Sequence, residues 1–94
     1  MPTLTEAAAR SLDERLGAAQ AEEGTAVRLE HRYGDLWTMR LDRKAPGDTV
    51  FNYGGRTVLL MDRGVAETLA NTIVDCGPTA TGGGLILYFN DRVN

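Results

Sequence analysis

Two adjacent glycines, Gly54 and Gly55, constrain this chain more than any other feature of its sequence. They separate Thr49–Tyr53 from Arg56–Met61, two runs rich in β-branched, aromatic and aliphatic residues. A tight primed turn needs positive φ at both central positions, which glycine takes at little cost, so residues 46–62 predict a β-hairpin. The residues leading into it, Ala45-Pro46-Gly47-Asp48, are themselves turn formers.

On either side of the hairpin the pattern changes period. Leu4, Ala8, Leu12 and Leu16, with Ala19 beyond, recur at helical spacing, opposite Glu6, Arg10, Asp13 and Glu14. This predicts a helix over about residues 5–22. Thr5 is the preferred N-cap; Thr3 would instead form a capping box with Glu6. Gly24 is the expected stop, and Gly17 weakens the last turns by up to ~1 kcal/mol relative to alanine. Residues 26–32 then alternate Val27, Leu29 and His31 against Arg28, Glu30 and Arg32, the signature of a half-buried strand. After a Gly34-Asp35 turn, residues 36–42 place Trp37, Met39 and Leu41 on one face and Thr38, Arg40 and Asp42 on the other, which suits an antiparallel partner. Residues 62–70 read as a short helix with Val65, Ala66 and Leu69 inward. Residues 72–76 and 85–89 read as two last strands, joined through Gly77-Pro78 and Gly82-Gly83-Gly84. The expectation is one domain over 1–94, a β-rich body over about 26–90 behind the helix, with no internal repeat.

Composition excludes several classes of function. A chain of 94 residues buries only about two-thirds of its unfolded surface, and its 43% hydrophobic and 24% charged residues fit a small globular domain rather than a disordered one. The longest apolar run, 85–89, is five residues, whereas a bilayer needs about 20. The N-terminus has no basic stretch followed by an apolar one, so a cytoplasmic protein with no membrane partner is expected. Net charge is −3, and the mildly basic stretch 28–44 also holds Glu30, Asp35 and Asp42, so no nucleic-acid partner is expected.

The candidate chemistry is sparse. Cys76 is the sole cysteine, which rules out a disulfide within the chain and reads first as a small buried hydrophobe. In a homodimer two Cys76 thiolates could meet, and thiolates are ligands that iron favours, with His31 or carboxylates completing the set. His31, the sole histidine, reads first as a partly buried side chain with one hydrogen-bond partner. Catalysis by a Cys76–His31 pair would need an oxyanion site and a base-orienting group, and the sequence supplies neither; no enzyme is expected. Gly82-Gly83-Gly84 runs into a strand rather than into Lys-Ser/Thr and a helix, so it reads as a flexible hairpin connection and not a phosphate loop. Asp35, Asp42, Asp48, Asp62 and Asp75 lack calcium-loop spacing, and most of them, next to glycine or at strand ends, read as turn formers. Trp37, Tyr53, Tyr88 and Phe89 serve mainly the core, and an apolar strand edge at 85–89 would suit a second chain.

Four blocks in this order resemble one known family: the opening LTEAAARSL, then P-G-D-x-V-F, then Gly54-Gly55, then R-x-V-L-L-x-D ahead of the short amphipathic segment. The chain resembles the HesB-like domain of the A-type iron–sulfur carriers from Leu4 to about Phe89. The resemblance implies an α+β fold: a mainly antiparallel, curled β-sheet with an N-terminal helix and a second short helix. Carriers of that family hold iron or a cluster between subunits through three cysteines, one in a glycine-rich loop after the first long strand and two in a C-terminal Cys-Gly-Cys. Here the loop, residues 31–36, has no cysteine, and the chain is expected to lack that tail, ending at Asn94. The resemblance therefore implies an accessory, non-catalytic role in iron–sulfur cluster biogenesis, with no resident cofactor, a homodimer, and iron–sulfur assembly or acceptor proteins as partners. The alternative it leaves open is an iron or iron–sulfur carrier that uses Cys76 from each of two subunits, with His31 beside it.

Overall fold

A computed structural model describes residues 2–31, 37–79 and 82–89. The chain runs β1 (Thr3–Leu4), α1 (Glu6–Ala18), β2 (Thr25–His31), β3 (Trp37–Arg43), β4 (Thr49–Tyr53), β5 (Arg56–Met61), α2 (Arg63–Thr68), β6 (Thr72–Thr79) and β7 (Gly82–Phe89). The strands form two sheets, a four-stranded one in the order β3-β2-β5-β4 and a three-stranded one in the order β1-β6-β7. Pairing is antiparallel for β2–β3, β4–β5 and β6–β7, and parallel for β2–β5 and β1–β6. The α+β class expected from the sequence is the class observed.

Local rules account for most boundaries. Gly54 and Gly55 have φ of 60° and 80°, as a primed turn demands, and β4 and β5 begin and end where the sequence places them. Ahead of them the Asp48 N–H donates to the Ala45 carbonyl at 3.1 Å across Pro46 and Gly47, and Gly47 has φ 87°, fitting a type II turn. Thr5 is the N-cap of α1, its hydroxyl accepting from the Ala8 N–H at 3.1 Å. Asp62 caps α2 in the same way, accepting from the Val65 N–H at 2.8 Å.

Helix α1 ends at Ala18, short of the expected 22. Gln20 takes φ 54°, the Gln20 N–H donates to the Gly17 carbonyl and the Ala21 N–H to the Leu16 carbonyl, both at 3.0 Å. That double bond pattern is a Schellman ending, and Ala21 then packs against the core as the motif's apolar contact. The expectation failed because alanines continue the apolar pattern past a residue that has already left helical geometry.

The core lies where α1 crosses both sheets. Leu12 and Leu16 of α1 meet Val27 and Leu29 of β2, Val58, Leu59 and Met61 of β5, Val65 and Leu69 around α2, and Val74 of β6. Strand β5 is buried on both faces from Val58 to Met61, as its unbroken apolar run suits. Strand β1 has only two residues, too few to show a period, and pairs Thr3 with Ile73 and Leu4 with Val74. Gly82-Gly83-Gly84, expected as a flexible connection, instead belongs to β7 and pairs with Thr79, Pro78 and Gly77. The ladder with β6 holds in strand conformation a run whose own preferences are loose.

Candidate functional site

Arg28 is the feature the sequence pattern misplaced. Alternation puts it on the outer face of β2, yet its side chain is only 7% exposed. Its Nη1 and Nη2 donate to Asp48 Oδ1 and Oδ2 at 3.0 and 2.6 Å, its Nε donates to Asp42 Oδ2 at 2.7 Å, and Nη2 also reaches the Arg43 carbonyl at 3.1 Å. The Asp48 side chain is 3% exposed and also accepts from the Ala45 N–H at 2.7 Å. The forked pairing is the strongest geometry available to a carboxylate and a guanidinium. The hydrogen bond from Arg28 holds the Asp48 carboxyl below the usual carboxylate range. Asp42 is lowered too, first by the Arg43 N–H at 2.8 Å and then by Arg28. Every buried polar side-chain atom among the described residues is satisfied. This cluster locks the turn before β4 onto β2 and β3, and its donors and acceptors are already used.

The two residues singled out as candidate ligands sit on different sheets. His31 ends β2 and is exposed rather than partly buried; its ring stacks on Trp37 across the β2–β3 pair, with centroids 4.4 Å apart and planes 22° apart. Cys76 lies within β6 rather than at its end, is half-buried rather than sealed, and pairs with Leu85. Its N–H donates to Asp75 Oδ1 at 2.8 Å, and the same oxygen accepts from the Thr5 hydroxyl at 2.7 Å. The hydroxyl bond, then the backbone bond, lowers the Asp75 carboxyl. The Thr5 N–H donates to the Val74 carbonyl at 3.0 Å, so the start of α1 is stitched to β6 beside Cys76.

Among the described residues no three His, Cys, Asp or Glu side chains gather as a metal site would require. Asp62 and Asp48 do cap and turn work as expected, whereas Asp42 and Asp75 lie within β3 and β6 and accept from Arg28 and from the Thr5 hydroxyl; Asp35 and the Gly34-Asp35 turn lie outside the described residues. The side chains of Tyr88 and Phe89 also lie outside them. A cleft of about 640 Å³ opens elsewhere, between the α1–β2 connection and the start of β5, with Ala21, Gly24, Lys44, Arg56, Thr57 and Leu60 in its wall. Arg56 there is turned toward Asp13, at 3.3 Å. No helix among the described residues is long and apolar enough to cross a membrane. Arg28 was missed because alternation reports a face but not what folds over it; the signal was Asp48, placed by a predicted turn next to the strand that carries Asp42.

No protein-family profile matches the sequence. No curated protein matches it either. The fold does match solved structures. IscA with a 2Fe–2S cluster is 25% identical, with a TM-score of 0.60 over 97% of this chain and 86% of that one. SufA of Escherichia coli, described as involved in the biosynthesis of iron–sulfur clusters, is 21% identical, with a TM-score of 0.68 over 99% of this chain and 83% of that one.

Proposed function

We propose that this chain, whose fold matches those of IscA and SufA, is a HesB-like protein that serves iron–sulfur cluster biogenesis as a non-catalytic accessory working by protein contact. Similarity to IscA and SufA over nearly the whole chain supports the broad role in iron–sulfur biogenesis. A single observation carries the narrower reading: the carrier fold is retained while the sequence holds one cysteine.

The chemistry of the donor set explains why. Iron–sulfur clusters are held by four protein ligands, usually thiolates, with histidine replacing cysteine at some sites. One chain offers one thiolate, and two chains offer two. The remaining ligands would have to come from elsewhere, and His31 belongs to the four-stranded sheet whereas Cys76 belongs to the three-stranded one. The described residues therefore do not fit a three-cysteine cluster site. What remains of the carrier is its shape, and in this reading the shape engages assembly or acceptor proteins in the cytoplasm, with the chain as a homodimer.

The test has two arms. After anaerobic reconstitution and gel filtration, the wild-type chain and Cys76→Ser should both emerge without stoichiometric iron or acid-labile sulfide. Adding the iron-free chain to a cluster-loaded A-type carrier should change the rate at which that carrier delivers its cluster to an apo acceptor. Roughly one iron and one sulfide per chain, lost in Cys76→Ser, would overturn the reading in favour of a carrier bridged by two Cys76 thiolates. An unchanged delivery rate would overturn the accessory role.

A further inference from the structure

The cleft of about 640 Å³ lies where two parallel strands of the four-stranded sheet part. Strands β2 and β5 pair at Val27↔Leu59 and Arg28↔Leu60, but β2 begins at Thr25 and β5 at Arg56, and the cleft opens ahead of the first rung. Buried Ala26 and Leu60 give it an apolar floor, with half-buried Thr25 and Thr57 beside them. Lys44 follows β3 and Arg56 opens β5, so two cations flank the start of β2, the strand between those two. Both have donors to spare. Lys44 makes no ion pair among the described residues, and both oxygens of nearby Asp48 go to Arg28. Arg56 gives Asp13 a single bond at 3.3 Å, with both side chains more than a third exposed, and a guanidinium carries about five donors. The wall is also preformed. Gly24 has φ 88°, a Cβ on it would stand 3.0 Å from Arg43 Nη1, and that nitrogen donates to the Glu23 carbonyl at 3.5 Å, so β3 clamps the α1–β2 connection in place.

We infer that this cleft binds a small organic oxyanion, a carboxylate or phosphate carried on a short apolar body. Its volume falls in the range of small-molecule sites, roughly 300–1,000 Å³, and an apolar floor with a few polar groups at the rim is their usual construction. The Lys44 ammonium and the uncommitted donors of Arg56 take the charged end, since a guanidinium fork matches the paired oxygens of either headgroup. The Thr25 hydroxyl adds a donor, whereas the Thr57 hydroxyl already donates to Asn52 at 2.8 Å and can only accept. The apolar body lies on Ala26 and Leu60. Charge decides against other occupants. A metal cation would meet two cations and one carboxylate, that of Glu23, and a nucleic acid would meet a chain of net charge −3. The site goes beyond the proposed role in cluster biogenesis and needs neither iron nor Cys76, which belongs to the other sheet.

Titration of the full, iron-free chain with phenyl phosphate and with benzoate, followed through backbone amide NMR signals, tests it. Saturable shifts should centre on Gly24, Thr25, Gly55 and Thr57, all in the cleft wall. Each probe should bind at least about tenfold more tightly than inorganic phosphate or acetate, which have too little apolar surface to use the floor. Lys44→Ala and Arg56→Gln should each weaken binding about tenfold, the loss of one charge-assisted hydrogen bond. Glu23→Gln should tighten it, because a like charge leaves the wall. Lys44 and Glu23 are exposed and Arg56 is half-buried, so all three variants should keep the wild-type circular dichroism. Saturation by either probe supports the site, and the tighter of the two names the headgroup. Saturation by neither overturns the proposal, as do shifts centred away from the cleft. Binding that survives both Lys44→Ala and Arg56→Gln unchanged overturns it too, and so does inorganic phosphate or acetate binding as tightly as the organic probes. With no iron and no second protein present, these outcomes are independent of whether the chain acts in cluster biogenesis.

Discussion

Asp48 and Asp75 are both held by hydrogen bonds, but the company each keeps is different. The Asp48 side chain is nearly sealed from solvent and, besides the Ala45 N–H, takes a forked pair of bonds from a buried guanidinium, so a full charge is balanced by a full charge. Asp75 is half-buried and takes its bonds from neutral groups, the Thr5 hydroxyl and the Cys76 N–H. The difference bears on function. A reactive or metal-binding thiolate is favoured by a cation nearby. In this chain the buried guanidinium is committed to Asp42 and Asp48 on the four-stranded sheet, and the hydrogen bonds around Cys76 on the other sheet stitch a helix start to a strand. The strongest electrostatics therefore stabilise the scaffold.

Breaking the charged side of this comparison should have the largest effect. Arg28→Met removes the cation and leaves the Asp48 carboxylate 3% exposed with only the Ala45 N–H to hold it. Removing one partner of a buried pair costs about 3–5 kcal/mol, and a loss in that range should appear as a lower denaturant midpoint with an unchanged slope. A loss below about 1 kcal/mol would mean that solvent reaches Asp48 far more freely than its burial indicates.

Acid should sharpen the same contrast with a somewhat smaller effect. Asp48, Asp42 and Asp75 all have folded-state values below the ordinary carboxylate range. A depressed carboxylate contributes stability that is fully present above its unfolded value, about 3.9, and is lost as pH falls through the folded value. Wild-type stability should therefore be flat in this respect above pH of about 5 and decline below about 4. Arg28→Met should flatten that decline, because Asp48 then no longer binds its proton more weakly folded than unfolded. Equal acid slopes in the two proteins would show that the Arg28 cluster is not the source.

How far these features could be read in advance depends on whether a rule was local. The Gly54-Gly55 turn, the Thr5 and Asp62 caps and the β2–β3 pairing were legible because each follows from a few consecutive residues. The burial of Arg28 was not, since it depends on Asp48 folding back from a turn twenty residues on. Leu41 was misjudged for a related reason: its face of β3 points toward the core side, but α1 ends at Ala18 and leaves it 46% exposed. The separation of His31 from Cys76 was equally invisible, because sequence order does not reveal that the two strands enter different sheets. Glycine misled in one place, where Gly82-Gly83-Gly84 is held by its ladder to β6.

The smallest effect should come from the neutral side. Thr5 does three things at once: its hydroxyl accepts from the Ala8 N–H, the same hydroxyl donates to Asp75 at 2.7 Å, and its N–H donates to the Val74 carbonyl. Thr5→Ala deletes the first two and keeps the third, because the backbone bond needs no side chain. Loss of an N-cap costs about 1 kcal/mol, and Asp75 can turn to water since it is not sealed, so the total should stay near that value. Thr5→Ser restores a hydroxyl that can accept and donate alike and should recover most of the loss, as read from thermal midpoints. The decisive readout is titration: the Asp75 carboxyl, followed by NMR, should move up toward the ordinary range in Thr5→Ala and stay low in Thr5→Ser. If it stays low in both, the Cys76 N–H alone sets it. The corner beside the cysteine would then be fixed by β6 itself, and the helix could be altered without disturbing the thiol's surroundings.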